Sequence, residues 1–143
     1  MQIKDKVFVV TGGGNGIGRE VVLGLLRRGA KVAAVDVRAE SLEETARQAG
    51  SSEPRLTTHC LDLSDRDAVE ALPEQVVAVH GQVDGLLNIA GVIQKFVPFA
   101  ELDWADVEKV LNVNLWGVLH TTKAFLPLLL QRPEACLVNV SSM

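Results

Sequence analysis

The sequence predicts an α/β fold in which helices cover both faces of a parallel sheet. Three observations predict it: short apolar runs alternate with longer segments of helical periodicity, valine is frequent in the runs, and no linker or repeat divides the chain. Strands buried on both faces appear as continuous apolar runs. The 143 residues have the length of one domain.

Five strands and four helices are expected along the chain. The apolar runs place strands at residues 7–10, 32–35, 56–61, 83–89 and 136–140. The periodic segments place helices at residues 16–28, 39–49, 65–80 and 103–130. The repeated strand–helix–strand order implies a doubly wound sheet with right-handed crossovers.

Capping residues support these helix boundaries. Ser41 with Glu44 fits a capping box, with a start one or two residues earlier as the alternative. Ser64 precedes Asp65 at the start of the third helix. Glycines follow the first three helices, where αL residues commonly end a helix, at Gly29, Gly50 and Gly81.

Composition and charge argue against several classes of partner. The formal net charge of -4 argues against nucleic acid, because phosphate-binding surfaces usually carry a basic excess. No apolar run has the length of a signal peptide's apolar region or a membrane span, so we expect a cytoplasmic protein without membrane contact. Cys60 and Cys136 are interpreted as buried thiols in a reducing compartment. The three histidines lack ligand spacing, so no metal site is expected.

A glycine-rich turn joins the first strand to the first helix. Thr11 ends the strand, and Gly12, Gly16 and Gly18 follow. Glycines at this junction let the backbone approach a pyrophosphate, which the N–H groups at the helix N-terminus then bind. The alternative is a tight turn without a ligand, but the position at the first strand–helix junction favours a dinucleotide.

The end of the second strand carries a candidate ribose-binding acid. Asp36 lies about 20 residues after the glycines, where a carboxylate accepts hydrogen bonds from the adenosine ribose. Its charge would repel a 2′-phosphate, so NAD is expected and NADP is disfavoured. Arg38 leaves NADP binding as an alternative, because its side chain could reach a 2′-phosphate. The other interpretation is that Arg38 only begins the next helix in solvent. Asn15, which precedes Gly16, is not basic and gives NADP no support.

With these residues in place, the sequence resembles the classical short-chain dehydrogenase/reductase family over essentially its whole length. Residues 11–18 match the family's T-G-x-x-x-G-x-G turn, and Asp62 matches the acid that contacts adenine. Residues 88–91 match the N-N-A-G segment except at Ile89. Asn114 and Ser142 match the family's catalytic Asn and Ser.

The resemblance implies a single NAD(P)-binding domain over residues 1–143. Its expected form is a Rossmann-type, three-layer α/β/α fold with strand order 3-2-1-4-5, truncated after the fifth strand. The expected cofactor-binding residues are Thr11, Gly12, Gly14, Asn15, Gly16, Ile17, Gly18, Asp36, Arg38, Asp62, Leu63, Asn88, Ala90 and Gly91.

The long helix over residues 103–130 has two apolar sides. Asn114 falls on the stripe that also contains Val107, Val110, Leu111 and Val118, so it is expected to be buried as either a satisfied core residue or a functional one. The second side contains Trp104, Leu115, Leu119 and Leu126. The resemblance implies that this helix pairs two subunits in a homo-oligomer.

The chain contains no tyrosine, although the family's chemistry uses a Y-x-x-x-K motif downstream of the Ser. The expected function is NAD-dependent hydride transfer between nicotinamide and a secondary alcohol or ketone, with Ser142 binding the substrate oxygen and no covalent intermediate. We therefore expect this chain to be the N-terminal part of a longer enzyme. A non-catalytic dinucleotide-binding module and a structural remnant that binds nothing are the alternatives.

Loop 92–100, with Ile93, Phe96, Val97 and Phe99, is expected to form an apolar rim of the substrate pocket.

Overall fold

The computed structural model describes residues 1–50 and 52–142, and in these residues five parallel strands form one sheet. The spatial order is β3-β2-β1-β4-β5, which confirms the predicted order. Val9 at the sheet centre pairs with Ala33 on one side and Leu86 on the other. The strands are β1 (Val7–Thr11), β2 (Lys31–Asp36), β3 (Leu56–Cys60), β4 (Gly85–Asn88) and β5 (Cys136–Asn139).

The helices lie close to their predicted positions. They are α1 (Gly16–Arg27), α2 (Ala39–Ala49), α3 (Arg66–His80), α4 (Trp104–Leu111) and α5 (Val118–Leu130), with a 3₁₀ turn at Phe99–Glu101. A π-helical segment, Asn112–Gly117, connects α4 to α5, so the long helix predicted over 103–130 is not uniformly α-helical. No helix in the described part of the chain is both apolar enough and long enough to span a bilayer.

Alternate side chains of the central strands enter two separate cores, which makes the fold three-layered. Phe8 and Val10 of β1 pack with α1 and α2 on one face. Val7 and Val9 pack with α3 and α5 on the other face, where Phe125 is fully buried. This alternation follows from the two-residue period of a strand.

The outer strands depart from the expected burial on both faces. In β5, the outermost strand, Leu137 and Val138 are 40% and 42% exposed, so neither face of this strand is fully covered. Cys60, at the end of the other outer strand, is exposed, and Cys136 is half-buried. The interpretation of both cysteines as buried thiols is therefore wrong for Cys60.

The structure corrects the predicted caps of α2 and α3 and confirms the glycine stops. Helix α2 begins at Ala39, which is the earlier of the two predicted starts, so Ser41 lies inside the first turn and is not the cap. Asp65 rather than Ser64 caps α3, where its Oδ1 accepts a hydrogen bond of 3.1 Å from the Ala68 N–H. All three predicted stop glycines have positive φ: Gly29 (84°), Gly50 (104°) and Gly81 (82°).

A buried carboxylate fixes the amino ends of the central strands. The Asp84 side chain is fully buried; it accepts hydrogen bonds from the Val7 N–H at 2.9 Å, Gln82 Nε2 at 2.7 Å and Arg132 Nε at 2.8 Å. Burial alone would raise the pKa of Asp84, but these hydrogen bonds outweigh it and hold the pKa below its usual value.

Asp84→Asn is expected to lower the free energy of unfolding by about 3 kcal/mol at pH 7, because it leaves the half-buried Arg132 without its anion. The folded-state pKa is lowered, so the contribution is complete above the unfolded value of about 3.9 and is lost as pH falls through the folded value. Urea unfolding at pH 7 and pH 3 measures both effects.

The matched control is Asp67→Asn, which removes an exposed carboxylate from the first turn of α3. We expect it to change stability by less than about 1 kcal/mol. Equal effects of the two substitutions, or an Asp84 effect that does not shrink in acid, would contradict this account of Asp84.

Candidate functional site

A cleft of about 980 Å³ lies at the carboxyl ends of the strands. Segments at the ends of all five strands line it, together with one face of α4 and its π-helical extension. These segments contribute Gly12 and Asn15–Gly18 after β1, Asp36–Arg38 at the end of β2, Leu61–Ser64 after β3, Ile89–Val92 after β4, Val140 after β5, and Ala105, Glu108, Lys109, Asn112 and Val113. Crevices at this edge of a doubly wound sheet are the usual ligand sites of such folds.

The glycine turn is packed backbone against backbone. Gly12 has a φ of 70°, and a Cβ added to it would lie 2.9 Å from the Ala90 Cα. A Cβ added to Gly18 would overlap the carbonyl oxygen of Gly12. Asn15 caps α1, because its Oδ1 accepts a hydrogen bond of 2.8 Å from the Gly16 N–H. The turn therefore presents backbone and the positive end of a helix dipole to the cleft.

Two side chains that the sequence analysis missed hold this turn against α2. Arg19 donates to the carbonyl oxygens of Gly14 and Ser41 and, through Nε, to Thr45 Oγ1 at 3.1 Å. Thr45 is fully buried and donates to the Gly13 carbonyl oxygen at 2.9 Å. A threonine on the otherwise apolar side of α2 was the available signal, since buried hydroxyls need partners.

Asp36 connects the tip of β2 to the same turn. Its Oδ2 accepts from the Gly14 N–H at 3.0 Å and its Oδ1 from the Arg38 N–H at 3.1 Å. A Cβ on Gly14 would lie 2.8 Å from Asp36 Oδ2, so this close contact also requires glycine. Each carboxylate oxygen has two lone pairs, so Asp36 keeps acceptor capacity on the cleft side. The exposed Arg38 lines the cleft beside it.

Asp62 and Leu63 form the cleft wall that follows β3. Asp62 Oδ1 accepts from the Ser64 N–H at 2.9 Å and from Ser64 Oγ at 2.7 Å, which closes a tight turn. Leu63 is 8% exposed and packs in the core on the α3 and α5 side of the sheet. Both residues line the cleft.

Thr11 and Asn88, two of the expected cofactor-binding residues, are buried and do not line the cleft. Thr11 Oγ1 accepts from the N–H groups of Ile89 at 3.0 Å and Ala90 at 3.1 Å. Asn88 Nδ2 donates to Asn139 Oδ1 at 2.9 Å, and Asn88 Oδ1 accepts from Thr121 at 2.8 Å. These hydrogen bonds fix the ends of β1, β4 and β5, and so position the segment that contains Ala90 and Gly91 in the cleft wall.

Asn114 is exposed, so the expectation that it is buried is wrong. Its Oδ1 accepts from the Val92 N–H at 2.9 Å and its Nδ2 donates to the Val92 carbonyl at 2.8 Å. Asn114 lies within the π-helical segment, and no residue of α4, which carries the start of the same stripe, is buried either. The stripe as a whole is therefore not covered by other parts of the described chain. Ser142 is exposed and lies two residues beyond Val140, which lines the cleft.

The loop over residues 92–100 contributes only Val92 to the cleft lining. Its aromatic side chains face solvent, with Phe96 90% and Phe99 79% exposed. Lys95 anchors the loop to α4 through an ion pair of 2.9 Å with Asp106, which raises the pKa of Lys95 above its usual value.

Among residues 1–50 and 52–142, no three His, Cys, Asp or Glu side chains are grouped so that they could hold a metal ion.

Comparison with known proteins identifies relatives of this arrangement. The chain is 33% identical to the 3-oxoacyl-[acyl-carrier-protein] reductase FabG of Thermotoga maritima, over 100% of this chain and 58% of that protein. It superposes with a TM-score of 0.93 on a short chain dehydrogenase/reductase from Burkholderia phymatum in complex with NAD, which is 30% identical. The superposition covers 99% of this chain and 50% of the Burkholderia protein.

A metagenomic short-chain oxidoreductase in complex with NADP superposes with a TM-score of 0.91 at 30% identity. That match covers 100% of this chain and 65% of the metagenomic protein. The chain thus spans between half and two thirds of the length of these three proteins. The family model for short chain dehydrogenases matches residues 6–143. The chain belongs to the short-chain dehydrogenase family.

Proposed function

We propose that the chain binds NAD in the cleft, as part of an enzyme that transfers a hydride between nicotinamide and a secondary alcohol or ketone. The observation that carries the proposal is the position of the Asp36 carboxylate, which the Gly14 amide holds at the cleft beside the glycine turn. Solved relatives with NAD and with NADP support a nicotinamide dinucleotide. Asp36 favours NAD.

The shape of the glycine turn fits a pyrophosphate. Side chains at positions 12 and 18 are excluded by Ala90 and by the Gly12 carbonyl oxygen, so the ligand meets backbone rather than side chains. Gly16, Ile17 and Gly18 begin α1 and line the cleft. N–H groups at a helix N-terminus bind phosphate oxygens and its dipole favours their negative charge.

The adenosine end of the ligand would then lie between the ends of β2 and β3. Asp36 would accept hydrogen bonds from the ribose hydroxyls, and its charge would repel a 2′-phosphate. Asp62 and Leu63 would border the adenine ring. Arg38, on the rim of the same region, is the residue that would favour NADP.

In the hydride transfer, the bound nicotinamide would give or take the hydride. We propose that Ser142 donates a hydrogen bond to the substrate oxygen and that Asn114 fixes the adjoining loop through Val92. The sequence contains no tyrosine to move the proton on that oxygen. The whole protein would need the Y-x-x-x-K motif outside these 143 residues.

We also propose that a second copy of the chain covers the outward side of α4 and α5, in a cytoplasmic homo-oligomer. Large apolar side chains are exposed along this side, with Trp104 and Leu130 each 76% exposed. The others are Leu111, Leu115, Trp116, Leu119 and Leu126. Apolar side chains exposed together in this way are typical of protein interfaces.

Asp36→Ala is expected to weaken NADH binding about tenfold or more, because a charged hydrogen bond to the ribose is lost. The affinity for NADPH should rise relative to the affinity for NADH. Asp36→Asn removes the negative charge but keeps the shape of the side chain, because its amide oxygen can still accept a hydrogen bond from the Gly14 N–H. Fluorescence titration with both cofactors measures the preference, and Glu70→Ala on the outer side of α3 is the control.

If neither cofactor binds the wild-type protein, the proposed function fails. If both bind but the Asp36 variants keep the wild-type preference, Arg38 or residues outside this chain determine the choice.

Gly18→Ala is expected to abolish measurable dinucleotide binding and to destabilise the protein, because its Cβ would overlap the Gly12 carbonyl oxygen. Gly24→Ala is a matched control in the same helix, since the nearest atom to its added Cβ is 3.8 Å away on a flexible arginine. The control should raise stability by about 0.5–1 kcal/mol and leave binding unchanged. Calorimetric titration with NADH and thermal unfolding provide the two readouts. Wild-type affinity in Gly18→Ala would exclude the turn as the pyrophosphate site.

A further inference from the structure

The long helix makes a hydrogen bond to the cleft wall that follows β3. His120, in the first turn of α5, places its Nδ1 2.9 Å from the carbonyl oxygen of Leu63. A carbonyl oxygen can only accept, so Nδ1 must carry the proton. The imidazole therefore donates to the backbone of a residue that lines the cleft.

The packing around this hydrogen bond leaves Leu63 little freedom. A Cβ on Gly117 would lie 3.0 Å from the Leu63 Cβ, so the helix backbone already contacts this residue closely. Trp116 flanks the imidazole, with ring centroids 6.2 Å apart and an interplanar angle of 31°. His120 itself is half-buried.

The segment from Asp62 to Ser64 is thus held from two directions. Asp62 closes the turn from within through Ser64, while His120 holds the Leu63 carbonyl from the helix side. The same helix holds the segment after β4, where Asn114 pairs with the Val92 backbone. One helix therefore fixes two of the segments that line the cleft.

We propose that His120 is a positioning residue for the adenine end of the cofactor cleft. It acts through the Leu63 carbonyl and touches neither the cofactor nor the reacting atoms. The proposal rests on the proposed function, because it assigns the wall formed by Asp62 and Leu63 to the adenosine part of a dinucleotide. Loss of the imidazole N–H would free the Leu63 backbone, and the wall would then have to be ordered when the ligand binds.

Two substitutions distinguish the effect of losing the imidazole N–H from the effect of losing the ring. His120→Phe keeps a ring beside Trp116 but has no donor. His120→Asn loses the ring, and its side-chain amide can place an N–H near the position of Nδ1. Affinity for ADP-ribose, which contains the adenosine, and for nicotinamide mononucleotide, which lacks it, is measured by calorimetric titration of the protein.

His120→Phe should bind ADP-ribose about threefold to tenfold more weakly, and its affinity for the mononucleotide should not change. His120→Asn should restore ADP-ribose affinity to within about twofold of wild type, which a loss of ring packing alone would not produce. Lys123→Gln, an exposed change three residues further along α5, should match wild type for both ligands. If His120→Phe does not fold, His120→Leu replaces it as the variant without a donor.

Wild-type affinity for ADP-ribose in the variant without a donor would overturn the proposal. Equal losses in His120→Phe and His120→Asn, or a parallel loss for the mononucleotide, would also overturn it. Wild-type protein that binds neither ADP-ribose nor NADH would instead contradict the proposed function, so the two failures are distinguishable.

Discussion

The first helix begins so close to the end of the first strand that Gly18 has no room for a Cβ beside the carbonyl oxygen of Gly12. This contact sets the path of the glycine turn, and other parts of the fold are built onto that path. Arg19 and Thr45 hold the turn to α2, and Asp36 holds it to β2. A larger residue at position 18 would therefore disturb Asp36, the proposed ribose-binding acid, as well as the proposed pyrophosphate site.

Parallel pairing brings the remaining walls of the cleft to the same edge. β1, the central strand, pairs with β2 and β4, so the segments that follow these strands meet beside the glycine turn. Buried polar groups then fix the ends of the strands, as Thr11 does for the backbone of Ile89 and Ala90. Asn88 similarly connects β4 to β5 through Asn139. Motif residues of this kind shape the cleft without lining it.

Much of the fold could be predicted from local sequence patterns. Short apolar runs located the strands, and the order of elements along the chain indicated a doubly wound sheet. The features that were missed depend on contacts or backbone geometry that local patterns do not contain. Arg19 and Thr45 meet only when α1 and α2 pack together. Asn114 was expected to be buried because an apolar stripe was taken to face the core, but no residue of α4 is buried, and spacing alone does not show what covers a helix face.

The candidate site could also be predicted only in part from local patterns. The residues that line the cleft at the turn, Asp36 and Asp62 could be predicted because the motif spacing places them there. The spacing could not show that Thr11 and Asn88 are buried, or that His120 reaches Leu63, because these contacts join residues 33 to 79 positions apart. Sequence motifs identified the elements around the cleft, whereas tertiary packing determines which side chains face it.

The most direct test of the account is a ¹⁵N–¹H correlation spectrum of the labelled chain, recorded during titration with NADH. The account predicts saturable shifts at the amides of Gly12, Ile17 and Gly18, at those around Asp36 and Asp62, and none around Asp84 at the opposite edge of the sheet. An unchanged spectrum at millimolar NADH, or shifts concentrated at the amino ends of the strands, would contradict the assignment of the cleft as the dinucleotide site.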